Sequence, residues 1–178
     1  MATWSGMKKK LETEYLAESL RGHISYFATF YRESHDAAER RAAILLDGKE
    51  ILKGNSFALR LKADQLEDDE LKKRRLGLCW DAPQLVDERV LELGMLEPCN
   101  FYEAFAEYDN QSIEDSLQSE NLLVRIFAIL DRRVGKRRLR AMREQMEREG
   151  AILRQFYALR LQAEGMSTQA AEESEKPL

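Results

Sequence analysis

The run His23-Ile24-Ser25-Tyr26-Phe27-Ala28-Thr29-Phe30-Tyr31 constrains the fold more than any other stretch of the chain. It is crowded with β-branched and aromatic side chains, which pack well on a pleated surface. Ile24, Tyr26, Ala28 and Phe30 alternate with Ser25, Phe27, Thr29 and Tyr31, so the spacing predicts a strand with both faces partly covered. A polar loop over 32–40 follows, then a second strand over 41–46. Asp47-Gly48 reads as a hairpin turn, because both positions tolerate positive φ. The segment 49–53 returns as a third strand, and Gly54-Asn55 marks another turn. Residues 56–61 are ambiguous: Phe57, Leu59 and Leu61 alternate like a strand, whereas Ala58 and Lys62 suit a helix.

Helical spacing dominates elsewhere. Ahead of the strand, Ser5 is placed to cap a helix whose inward face is Met7, Leu11, Tyr15 and Leu16, with Gly22 as its left-handed exit. Beyond Asp64 a helix is expected over 68–76. Another is opened by Asp81-Ala82-Pro83 and closed by Gly94. A third runs from Pro98 to Tyr108, with Phe101 and Phe105, and breaks at Asp109-Asn110. Ser112 and Asp115 form a capping-box-like pair. Ser119 leads into a helix with the stripe Leu123, Ile126, Phe127 and Leu130, and Gly135 marks an end or a kink. The last helix spans 136–165, bent near Gly150, with Leu139, Met142, Met146, Leu153, Phe156 and Tyr157 as its apolar positions. The expected fold class is therefore α+β: an N-terminal helix, a small antiparallel β-sheet with a hairpin, and a mostly helical C-terminal half. At 178 residues, one domain is the default, since domains usually hold about 100–200 residues. We place it over 1–166, followed by a disordered tail over 167–178 rich in Ala, Glu and Ser.

The N-terminus has no apolar core behind a basic start, so a reducing, cytoplasmic compartment is expected, with Cys79 and Cys99 as separate thiols. Neither cysteine belongs to a CxxC pair, which argues against zinc. No apolar run approaches the roughly 20 residues that span a bilayer, so no membrane partner is expected. There is no GxxxxGKS or GxxxxGKT loop, no GxGxxG fingerprint and no GxSxG elbow. No cofactor and no metal are expected, and no catalytic residue is assigned.

Charge is the other strong signal. The net charge is −4, yet 81–120 holds 11 acidic and one basic side chain, and 121–160 holds 11 basic and four acidic. The basic run is Arg132-Arg133-Val134-Gly135-Lys136-Arg137-Arg138-Leu139-Arg140, reaching Arg143. Such clusters bind nucleic acid by releasing counterions, and a helix start at Gly135 can offer free N–H groups to a phosphate. The preferred reading is plainer: the cluster is solvated, or neutralised by the acidic stretch. A second candidate is the loop with Arg32, His35 and Asp36. A His-Asp pair can bind a divalent metal and an arginine can grip phosphate. With only His23 and His35 in the chain, an imidazole-rich metal site is not favoured, and shaping of the turn by Asp36 is the preferred reading. A third is the acidic, aromatic segment 97–115. Its Phe101, Phe105 and Tyr108 have the spacing of a core-facing stripe, which we prefer to a binding face.

Several blocks look familiar. Trp4-Ser5, Met7-Lys8-Lys9, Leu11-Glu12 and Ser19-Leu20-Arg21-Gly22-His23-Ile24 are followed by Tyr26-Phe27-Ala28-Thr29, Tyr31-Arg32, Ser34-His35-Asp36 and Asp47-Gly48-Lys49-Glu50. Later come Leu130-Asp131-Arg132-Arg133-Val134-Gly135-Lys136-Arg137, Phe156-Tyr157-Ala158-Leu159-Arg160 and Ala163-Glu164-Gly165. Together these resemble a family of uncharacterised bacterial proteins with no assigned activity. The resemblance implies a bacterial, intracellular, single-domain protein and supplies no catalytic role. The residues point to a non-enzymatic protein-binding module, with Arg132, Arg133, Lys136 and Arg137 as the binding residues to test first. The alternative is a protein that binds a phosphate-containing ligand or nucleic acid, hydrolase activity included. It would use Arg32, His35, Asp36 and the basic cluster.

Overall fold

In the computed structural model, which describes residues 3–31, 39–55 and 86–166, helix α1 (Trp4–Lys9) is capped by Thr3. The Thr3 hydroxyl accepts a hydrogen bond from the Gly6 N–H at 3.2 Å. Ser5, expected as the cap, lies inside the first turn, because Thr3 is the residue with the extended backbone a cap requires. From Lys10 the winding loosens into a π-helical turn, Lys10–Tyr15. The wider turn moves the inward face from Tyr15 to Leu16: Met7, Leu11 and Leu16 are buried while Tyr15 is half-buried. The helix stops there, well before Gly22, because Leu16 turns extended to pair with Asp131 in a short antiparallel bridge. A 3-10 turn, Glu18–Leu20, and Gly22 at φ +81° then lead into the sheet.

Strands β1 (Ile24–Tyr31), β2 (Glu39–Leu46) and β3 (Lys49–Asn55) form a three-stranded antiparallel sheet in that order. Asp47 and Gly48, at φ 49° and 76°, make the mirror-image turn that matches strand twist. Gly54-Asn55 is not a turn. Both residues lie inside β3, whose last N–H, on Asn55, donates to the Gly94 carbonyl at 3.2 Å. A Cβ on Gly54 would overlap the backbone of Leu96 and Gly94. The glycine therefore serves a close backbone approach, an alternative meaning of Gly within a strand.

The inward sheet face carries Ile24, Tyr26, Ala42, Ile44 and Leu52, all buried. It packs on α3 (Pro98–Asp109) and α5 (Leu122–Leu130). The Tyr26 ring meets Phe101 at 5.9 Å and Phe127 at 5.7 Å, both edge-on, and Phe101 stacks on Phe127 at 6.2 Å. On the opposite face Ala43 is buried and Phe27 half-buried, so both sides are covered as the alternation predicts. Helix α5 is apolar all round, and only Arg125 breaks the run, pairing with Glu149. Such a helix belongs at the centre of a core. Its cap is Asn121, not Ser119; Ser119 closes the short helix α4 (Ile113–Gln118), which Ser112 opens.

Helix α2 (Glu88–Glu92) ends two residues before Gly94. The single bent helix expected over 136–165 is three: α6 (Lys136–Ala141), α7 (Arg143–Glu147) and α8 (Ala151–Ala163). The Glu88 carboxylate accepts the Ile152 N–H at 2.6 Å, so the start of α8 is held from a residue far away in sequence. The architecture is α+β. Of the loop expected over 32–40, Glu39 and Arg40 belong instead to β2, and 32–38 lie outside the described residues, as do the ambiguous stretch 56–61, the helix over 68–76, the helix start at 81–83, Cys79 and the tail 167–178.

Candidate interaction surface around the Asp131 loop

Asp131 ends α5 and is wholly buried. A buried carboxylate is tolerated only when hydrogen bonds replace its water, and this one is well supplied. One oxygen accepts the backbone N–H of Arg133 at 2.6 Å. The other accepts from Arg133 Nε at 3.0 Å, from Arg133 Nη2 at 2.8 Å and from the Tyr108 hydroxyl. The Arg133 guanidinium also donates to the Tyr108 oxygen at 3.1 Å and lies over the rings of Tyr15 and Tyr108, at 5.2 and 5.5 Å. Burial, and then the Asp131 carboxylate, push the Tyr108 hydroxyl far above its ordinary range. Tyr108 is therefore a fixed proton donor. The hydrogen bond to Asp131 holds the Arg133 guanidinium charged, against its partial burial.

The backbone of the same loop is tied on both sides. Ala17 N–H donates to the Leu130 carbonyl at 2.9 Å, and Arg132 N–H donates to the Tyr15 carbonyl at 2.8 Å. Arg160, only 3% exposed, sends Nη2 to the Val134 carbonyl at 3.1 Å and Nη1 to Ser19 Oγ at 2.9 Å and to Glu164. Lys136 Nζ donates to the Glu164 carbonyl at 2.9 Å. A neighbouring polar knot joins Tyr15 and Lys10 to Asp109, with Lys10 Nζ at 3.0 Å from the carboxylate. Burial, then the Asp109 hydrogen bond, push the Tyr15 hydroxyl up to about 12.

This frame sorts the basic residues. Arg133 and Lys136 are turned back into it as anchors. Arg138 pairs with Glu114 of α4. Arg132, Arg137 and Arg140 stand exposed, and no carboxylate pairs with any of them among the described residues. The preferred expectation was solvation or neutralisation by 81–120. Solvation holds for these three, while from that stretch Glu114 pairs with Arg138 and the Asp109 carboxylate feels the charge of Arg133. Of the sequence-predicted binding residues, the structure brings Arg132, Arg133, Lys136 and Arg137 onto one loop and helix start. Arg32, His35 and Asp36 lie outside the described residues.

Sequence reading did not single out Asp131, Arg160 or Glu164, which build the frame. All three stand in the blocks that carry the resemblance, and Asp131 also left a local signal, as a turn-forming residue directly after an apolar helix. Phe101, Phe105 and Tyr108 are buried, so the aromatic stripe of 97–115 does face the core. Among the described residues, no three His, Cys, Asp or Glu side chains gather where they could hold a metal ion, and no helix is long and apolar enough to cross a membrane.

No curated protein and no solved structure matches the chain. Residues 3–161 match the profile of the SF0329 protein family. That span covers the blocks on which the resemblance rests except Ala163-Glu164-Gly165, and the chain belongs to this family, whose name carries no activity.

Proposed function

We propose that the chain is a non-enzymatic protein-binding module of the bacterial cytoplasm, and that its recognition surface is the basic face around Arg132, Arg137 and Arg140. The observation that carries the reading is the contrast between those three arginines and the loop beneath them. The side chains are exposed and have no carboxylate partner among the described residues, while the loop leading into α6 is held at the Arg132 N–H by the Tyr15 carbonyl, at the Arg133 N–H by Asp131 and at the Val134 carbonyl by Arg160. A surface held in one shape loses little freedom when a partner arrives, and complementary charge raises the encounter rate and selects the partner. A partner protein with an acidic surface fits this face. The overall charge of −4 works against a polyanion such as nucleic acid, which basic domains bind best.

The test is affinity capture of the tagged chain, with and without nuclease, for wild type and for Arg132→Glu/Arg137→Glu. Protein bands that survive nuclease, wash off with salt and vanish in the variant are the expected result. Capture lost on nuclease treatment would transfer the same arginines to nucleic acid. Capture unchanged in the variant would remove this face from binding altogether.

A further inference from the structure

The basic face adjoins an acidic one. Glu107 and Glu120 are exposed, and the hydroxyl of Ser119, the residue before Glu120, donates to Glu107. Asp115 is exposed on α4, one residue from Glu114. No cation pairs with Glu107, Asp115 or Glu120 among the described residues. The ion pair Glu114–Arg138 is the seam between this patch and the arginine face on α6. Arg137 and Arg140, three residues apart, share the outward side of that helix while Leu139 is buried.

We infer that the acidic partner of the Arg132–Arg137–Arg140 face is a second copy of this chain, paired about a two-fold axis near the Glu114–Arg138 seam. This rests on the reading of that face as a protein-binding surface. Two-fold pairing makes each patch serve twice: the basic face of one copy meets the acidic patch of the other, and the reverse contact forms at the same time. Two adjoining patches of opposite sign, neither neutralised by an ion pair among the described residues, are what such an arrangement requires. Unlike charges across the axis also oppose the weak mutual repulsion of two chains of charge −4. The pairing is electrostatic, so it is strong at low salt and fades as the screening length shortens.

The experiment is sedimentation equilibrium of the full chain at about 0.01 M and about 1 M ionic strength, where the screening lengths are ~30 and ~3 Å. The wild type doubles in mass at low salt and is monomeric at high salt. Two charge-reversed chains are compared: Arg132→Glu/Arg137→Glu, and Glu107→Lys/Glu120→Lys. Each alone is monomeric at low salt, because like charges then face each other across both contacts. Mixed in equal amounts they pair, because both contacts regain opposite signs. Circular dichroism checks that each is folded, and Arg132→Gln/Arg137→Gln repeats the loss without added repulsion. A wild type that stays monomeric at low salt overturns the inference, and so does a dimer that the variants leave intact or that mixing fails to restore. If self-pairing fails while Arg132→Glu/Arg137→Glu still loses a nuclease-resistant partner in the capture assay, the broader protein-binding reading stands. If both fail, neither does.

Discussion

Asp131 is the residue on which the loop turns. Its four hydrogen bonds come from one tyrosine and one arginine, and the buried Tyr108 hydroxyl has no other acceptor among the described residues. Replacing it with alanine leaves that hydroxyl and the Arg133 backbone N–H unsatisfied. Half-exposed Arg133 can regain water, so the cost is below that of stranding a fully buried charge. We expect Asp131→Ala to destabilise the fold by about 3 kcal/mol, read as a lower urea midpoint at unchanged slope. A change under about 1 kcal/mol would mean that the backbone bonds alone hold the loop. Arg133 illustrates the same point from the other side. In sequence it is one basic residue among many, and in the structure it is a strut packed between two tyrosine rings.

At the level of elements, the sheet is joined to the helical half through a backbone contact as well as through its apolar face. Gly54 places the end of β3 directly against 94–96, and the hydrogen bond from Asn55 to Gly94 closes the contact. Gly54→Ala has no soft side chain to push aside, only backbone. The expected loss is about 2–3 kcal/mol, the range of overpacked interiors, with β3 separating from the 94–96 turn. Amide exchange at Asn55 is the local check: it should accelerate far more than at Ala43 in the sheet centre. Equal acceleration at both would mean that the substitution loosens the whole sheet. The π-helical turn works at this scale too. By shifting the inward position from Tyr15 to Leu16, it frees Tyr15 to bond Asp109 and to lie beside Arg133. A regular helix would have buried that ring instead.

Across the whole molecule, the Arg160–Glu164 pair clamps the two ends of the described chain. Ser19, from the segment before the sheet, donates to Glu164 at 2.7 Å, and Lys136 and Arg160 hold the same residue from the C-terminal half. Burial works to raise the Glu164 carboxyl, but the Ser19 hydrogen bond and the charges of Arg160 and Lys136 together outweigh it and hold its pKa below the ordinary value. A depressed folded-state pKa means stability that is present above the unfolded value, about 4.3 for glutamate, and lost as pH falls through the folded one. Glu164→Gln should therefore lower stability at neutral pH by about 1 kcal/mol. Its stability should also fall less steeply below about pH 4.3, so that its curve approaches the wild type in acid. Thermal midpoints across that window decide it, and parallel curves would contradict the clamp. Some acid slope remains in the variant, because Asp109 is also held low: burial opposes this, and the Tyr15 and Lys10 hydrogen bonds prevail.

Much of the architecture was legible in local pattern. Alternating aromatics announced β1, Asp47-Gly48 announced its hairpin, and the spacing of Phe101, Phe105 and Tyr108 announced a core-facing helix. Those signals are local because strand alternation, positive φ and helical periodicity are properties of neighbouring residues. The basic run was equally visible, since charge density needs no fold to be counted. Which arginines face water and which serve as struts was decided mainly by tertiary contacts. Arg133 bonds Asp131 nearby but also Tyr108, and the partners of Lys136 and Arg138 are Glu164 and Glu114, these three lying 24 or more residues away in sequence. The same holds for Gly54, whose role depends on a segment 40 residues further along, and for α8, whose first turn is capped by Glu88. A buried polar group takes whatever partner the packed chain brings within about 3 Å, and sequence spacing carries no record of that meeting.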